Sequence, residues 1–238
     1  MIIAGPCSVE SREQIEIISD FLKEKGIEFI RGGVFKPRTN PDSFQGLGLE
    51  GMKFFKEIAS KNNQKIVSEI MTPEQLDQIY DYVDVIQIGT RNMASFGLLK
   101  YIGEKTAQDK KPILFKRGMG ATIKEFIQAM GYLTKAGNEN IILCLRGIRT
   151  FEQIDSELRN TPDLAAILEL KKTGKKIIFD PSHATGKKEY VIPLSKAAMA
   201  LGVDGLMIEI HNEPEKALCD GEQSLNFAEF NQLLKEIS

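Results

Sequence analysis

Apolar residues in this chain come in short, dense runs. Eight such runs, at 2–4, 29–31, 65–68, 83–88, 113–115, 141–145, 177–179 and 206–210, are rich in Ile, Val, Leu and Phe. Runs this short and this continuously apolar predict parallel strands covered on both faces. Between them, apolar residues recur every three or four positions, which predicts helices with one buried stripe. Local punctuation agrees. Ser11-Arg12-Glu13-Gln14 has the capping-box pattern, Ile15, Ile18 and Leu22 mark one face, and Gly26 supplies a stop. Thr72-Pro73-Glu74-Gln75 sets a cap, a first-turn proline and a polar third residue in order. Thr122-Ile123-Lys124-Glu125 repeats the logic before Phe126 and Met130. The last two helices are predicted near 193–201, ending at Gly202, and near 227–237. Stretches 36–48 and 146–163 lack periodicity and read as long strand-to-helix loops.

Eight strands alternating with about eight helices predict a (β/α)8 TIM barrel, one domain over residues 1–238 with no terminal extension. A doubly wound open sheet would favour a Gly-rich phosphate turn after the first strand, and Gly5-Pro6-Cys7-Ser8 is not one. Composition changes little: 42% hydrophobic and 27% charged is ordinary globular usage. The net charge of −2 gives no reason to expect nucleic acid or a membrane surface as partner. No apolar run approaches the ~20 residues a membrane span needs, and the first residues lack the basic region of a signal peptide. Three scattered cysteines point to free thiols in a cytoplasm.

In a barrel, chemistry sits at the C-terminal ends of the strands. The sharpest such end is Ile177-Ile178-Phe179-Asp180-Pro181-Ser182-His183-Ala184-Thr185-Gly186, an apolar run broken by proline that delivers Asp, Ser and His into a Gly-containing loop. Closure would set the eighth strand beside the first. Cys7, His183 and Glu209 then come from three neighbouring strands, and Asp220 lies on the same side. A thiolate, an imidazole and two carboxylates suit a divalent transition metal such as Mn, Fe, Co or Zn. The alternative is a buried thiol, a surface histidine and two solvated carboxylates, since no C-x-x-C or H-E-x-x-H spacing is present. The rest of the rim is cationic, with Arg31, Lys36, Arg91, Lys116 and Arg146, and a stiff turn adds Arg38. Convergent Arg and Lys fit phosphate and carboxylate groups. A metal facing them implies small polyanionic substrates and a polarised carbonyl.

These residues resemble the DAHP synthase family, in its compact subgroup related to 3-deoxy-octulosonate 8-phosphate synthase. The motifs that carry the resemblance are Ala4-Gly5-Pro6-Cys7-Ser8, Lys36-Pro37-Arg38-Thr39, Lys116-Arg117-Gly118, Leu145-Arg146-Gly147, Asp180-Pro181-Ser182-His183 and Asp220-Gly221-Glu222-Gln223-Ser224. The resemblance implies a metal-dependent condensation of phosphoenolpyruvate with erythrose 4-phosphate, the first step of the shikimate pathway. It implies Cys7, His183, Glu209 and Asp220 as metal ligands. Arg91, Lys116 and Arg146 correspond to phosphoenolpyruvate contacts, supported by Arg31 and Lys36, and Arg38 and Thr39 correspond to the aldose phosphate site. Lys116, Lys36 and His183 would be the catalytic residues, with Lys116 as proton donor. A homodimer or homotetramer is also implied. Two departures stand out: Thr90 precedes Arg91 where a small Ala is expected, and Cys219 precedes Asp220 where Ser is more usual. The rival acceptor is arabinose 5-phosphate, whose synthases usually carry Asn near the Pro37-Arg38 positions. A non-catalytic phosphometabolite-binding barrel need not keep all four ligands.

Overall fold

The computed structural model describes residues 1–38, 40–152 and 159–237. Its eight strands are β1 (Ile2–Gly5), β2 (Phe29–Arg31), β3 (Lys65–Ile70), β4 (Val85–Ile88), β5 (Ile113–Lys116), β6 (Ile141–Leu145), β7 (Lys176–Phe179) and β8 (Gly205–Glu209). They pair in parallel, in sequence order, and close between β8 and β1, with Gly5 opposite Glu209 and Ala4 opposite Ile208. The barrel expected from the alternation is therefore present. Helices α1 (Arg12–Glu24), α2 (Gly48–Lys61), α3 (Pro73–Ile79), α4 (Phe96–Lys105), α5 (Ile123–Lys135), α6 (Ala165–Lys171), α7 (Pro181–Thr185), α8 (Val191–Ala200) and α9 (Phe227–Ile237) accompany them.

Local chemistry fixes the helix starts. The Thr122 hydroxyl accepts from Glu125 N, and the Glu125 carboxylate accepts from Thr122 N, closing the expected box. At α1 only half of the expected box forms. Ser11 accepts from Gln14 N, but the Gln14 side chain accepts from Glu10 N instead of Ser11 N. The loop expected after β7 is instead the short helix α7. Asp180 caps it, Pro181 supplies its first turn, and Gly186 ends it at φ +80°. Helix α8 begins at Val191, two residues earlier than expected, because Pro193 in the first turn needs no N–H partner.

Two apolar layers hold the barrel. Outside, strand residues such as Phe115 and Phe179 pack against helix faces carrying Ile15, Phe55, Phe126 and Phe230, all fully buried. Inside, Ile3, Val67, Val85, Leu114, Ile142, Cys144, Ile178 and Met207 form a plug, with Phe29 against it. Each fully buried Ile or Leu contributes about 1.5–3 kcal/mol relative to exposure. This filled interior makes the barrel a solid platform and leaves only its rim for chemistry.

Candidate active site and metal centre

On strands the side chain two positions beyond a plug residue points to the same interior face. Phe29 is followed by Arg31, Val67 by Glu69, Val85 by Gln87, Leu114 by Lys116, Ile178 by Asp180 and Met207 by Glu209. One step along each of these six strands therefore converts a dry apolar layer into a polar one. Buried charges in that layer are paired, as burial requires. Arg31 Nη1 lies 2.8 Å from Glu209 Oε1, and Lys116 Nζ lies 2.5 Å from Asp180 Oδ2. Gln87 donates to Glu69 at 2.8 Å.

Cys7 reaches the rim because the chain after β1 keeps pairing with the chain after β2. Gly33 N donates to Cys7 O, and Val9 N donates to Gly33 O. Gly5 makes this approach feasible: at φ +149°, a Cβ there would stand 2.1 Å from the Arg31 carbonyl oxygen. His183 rides on α7. Asp220 follows β8 at φ +54°, a left-handed conformation that Asp tolerates better than most residues. One donor atom from each of Cys7, His183, Glu209 and Asp220 falls within a mutual 4.8 Å. That is about the span of one coordination sphere with bonds of ~2.0–2.3 Å.

The four residues fit a metal on their own chemistry. Glu209 is fully buried, yet its Oε1 has no aligned hydrogen-bond donor; the Arg31 nitrogen beside it is close enough to pair but misaligned. Each ligand also has an outer partner, as metal ligands usually do. Lys36 Nζ lies 2.9 Å from Cys7 Sγ, Asp180 Oδ2 lies 2.8 Å from His183 Nδ1, and Arg159 Nη2 lies 2.9 Å from Asp220 Oδ1. Gln223 donates to Glu209 Oε2.

Protonation follows from these contacts. Hydrogen bonding to Cys219, then burial and Glu209, push the Cys7 thiol well above its usual range, against the pull of Lys36. A metal would therefore displace a proton from Cys7 on binding. Burial acts to raise Asp220, but His183, Arg159 and the hydrogen bond from Cys7 outweigh it and hold the carboxyl below its usual range. Burial also lowers His183, despite Asp180 and Glu209, and so favours the neutral, ligating imidazole.

Above the donors opens a cavity of about 540 Å³ lined by six cations, Lys36, Arg38, Arg91, Arg146, Arg149 and Arg159, against two carboxylates, Glu69 and Asp220. A neighbouring cleft of about 780 Å³ between α4 and α5 meets it at Thr90, Arg91, Met119 and Arg149. The smaller cavity is the candidate site, because His183 and Asp220 open into it.

Among the sequence-predicted residues, Cys7, His183, Glu209 and Asp220 come together, and Lys36, Arg38, Arg91 and Arg146 line the cavity. Arg31 and Lys116 lie beneath it, paired in the polar layer. Thr39 falls outside the described residues. Thr90 donates its hydroxyl to the Arg117 carbonyl, while Arg117 itself is tied to Asp163 and the Ala121 carbonyl. Sequence reasoning missed Arg159, Asn160, Gln87 and Gln223 as site residues. The two-residue step from plug to rim would have found Gln87; Gln223 sits inside a recognised motif. Nothing local marks Arg159.

A closed (β/α)8 barrel whose rim gathers four potential metal donors beside a cationic cavity has the architecture of an enzyme. The chain belongs to the DAHP synthetase I family, whose model matches residues 1–238. It is 47% identical over 237 residues to the phospho-2-dehydro-3-deoxyheptonate aldolase of Thermotoga maritima, covering 99% of this chain and 68% of that protein. The crystal structure of that DAHP synthase superposes with a TM-score of 0.93, covering 99% of this chain and 67% of its own. A 2-dehydro-3-deoxyphosphooctonate aldolase of Desulfotalea psychrophila is 30% identical, covering 100% of this chain and 88% of that protein. Among the described residues no helix is long and apolar enough to cross a membrane.

Proposed function

We propose that this chain condenses phosphoenolpyruvate with erythrose 4-phosphate, giving 3-deoxy-D-arabino-heptulosonate 7-phosphate and phosphate. The carrying observation is the four-donor cluster of Cys7, His183, Glu209 and Asp220 beneath a wall of arginines. That donor set suits Mn, Fe, Co or Zn, and such an ion, when bound, supplies a Lewis acid for the acceptor aldehyde. The remaining work falls to side chains. Arg91 and Arg146 hold the phosphate of phosphoenolpyruvate, with Lys116, Arg31 and Lys36 beneath and beside it. Arg38, with Thr39, holds the acceptor phosphate. Fixing both anions sets C3 of the enol against the aldehyde carbon. The C–C bond forms there, and Lys116 delivers a proton to the aldehyde oxygen. Water adds at C2, the bond from C2 to the phosphate oxygen breaks, and phosphate leaves into the arginine wall; of the two water protons, one restores Lys116 and the other departs on the phosphate.

The proposal places the whole activity in this barrel, as a cytoplasmic homodimer or homotetramer. Phosphate release from phosphoenolpyruvate, measured with each aldose phosphate and with and without chelator, tests it. Turnover with erythrose 4-phosphate that a chelator abolishes is expected. Preference for arabinose 5-phosphate would transfer the assignment to the octulosonate reaction, to which the Desulfotalea relative points. Binding without turnover would leave a phosphometabolite-binding barrel.

A further inference from the structure

Asp180 joins the two halves of the site. It is fully buried at the end of β7. Its Oδ1 accepts from His183 N at 2.9 Å and caps α7. Its Oδ2 accepts from both His183 Nδ1, at 2.8 Å, and Lys116 Nζ, at 2.5 Å. One oxygen therefore holds a side chain of the four-donor cluster and a lysine from β5 beneath the cationic pocket.

We propose that Asp180 is a positioning residue that couples the metal centre to the phosphoenolpyruvate pocket; the pocket half rests on the function proposed above. A neutral imidazole has one N–H. With that proton on Nδ1, bound to Asp180, the Nε2 lone pair faces Glu209 Oε1 3.4 Å away, on the side where the other donors gather. The same carboxylate oxygen fixes the buried Lys116 ammonium, which otherwise has Met207 Sδ beside it at 3.8 Å. His211 makes the contrast. Its Nδ1 faces Glu213 N at 3.0 Å and its Nε2 lies 2.9 Å from Gln14 Nε2, so no carboxylate holds its Nδ1.

Asp180→Asn separates the roles. Asn keeps an oxygen for the helix cap, but its amide hydrogens face the two donors that Oδ2 served. The test uses protein labelled with 15N-histidine, zinc as the metal probe, and equilibrium binding of each substrate. Wild-type spectra should show His183 protonated on Nδ1. In Asp180→Asn the His183 pattern should be lost and the His211 pattern kept. Zinc affinity should fall ~10–100-fold, as for other outer partners of a ligating histidine. Phosphoenolpyruvate affinity should fall ~10-fold, and erythrose 4-phosphate affinity by less than ~2-fold. None of these readouts needs turnover, so a failed reaction assay would overturn the proposed function and leave the coupling standing. Unchanged zinc and phosphoenolpyruvate affinities would overturn the coupling. So would a wild-type His183 protonated on Nε2, a measurement that requires no variant to fold.

Discussion

The sulfurs of Cys7 and Cys219 stand 3.1 Å apart, although 212 positions separate the residues in the chain. A disulfide needs about 2.05 Å between sulfurs, so closing the pair takes a shift of about 1 Å. In metal-free protein, mild hydrogen peroxide should take two electrons and two protons from the thiols, forming the disulfide and water. Zinc should protect, because Cys7 is then engaged. Non-reducing peptide mass spectrometry should find Cys7 and Cys219 joined and the core residue Cys144 unmodified; with neither rim cysteine altered, the pair is inert.

Removal of a ligand should abolish function without unfolding the barrel. Cys7→Ala and His183→Ala sit on the rim, above the apolar plug that holds the fold. Each should lower metal affinity by more than the ~10–100-fold that loss of an outer partner costs, with the thermal midpoint retained. Chelation should mimic them reversibly. Full turnover by the stripped enzyme would falsify the ligand assignment.

Arg38 extends from the loop after β2 into the cavity, where its Nη1 reaches the Cys219 sulfur. Arg38→Ala should raise KM for erythrose 4-phosphate by ~10–100-fold, the worth of a charge-assisted contact of ~1.5–3 kcal/mol. KM for phosphoenolpyruvate should change little. Steady-state kinetics with each substrate varied in turn decides; equal rises would show that Arg38 is not specific to the acceptor.

Gly5→Ala should destabilise the protein and disturb the metal centre together. Its Cβ would meet the Arg31 carbonyl at 2.1 Å, so β1 and β2 would have to part beside Cys7 and the Arg31–Glu209 pair. A loss of ~2 kcal/mol or more is expected from overpacking and strain, read by denaturant unfolding, with weakened zinc binding. Gly26→Ala is the control. At φ +68° it has open space around the new Cβ, so only the backbone cost of ~1–2 kcal/mol applies and zinc binding should be untouched.

The sequence by itself determined the elements, their order and the closed barrel. Short apolar runs such as Ile141–Leu145 have few ways to be buried on both faces, and alternation with helices restricts them to parallel pairing. It also marked which charges end strands, because Arg31, Lys116 and Glu209 each interrupt an apolar run. Only the tertiary structure decided which of these charges meet. Arg31 and Lys116 read as free substrate cations in the sequence, but they are paired to Glu209 and Asp180 below the cavity. The turn after Phe179 read as a loop, but it is a helix that aims His183 at the donors, because Asp180 caps it. Arg159 carried no signal at all, and Cys219 stood out only as a departure beside Asp220, with nothing to show its contact with Cys7. Their partners Asp220 and Cys7 lie 61 and 212 positions away, and contacts across such separations depend on barrel register and loop path, which no local pattern of residues encodes.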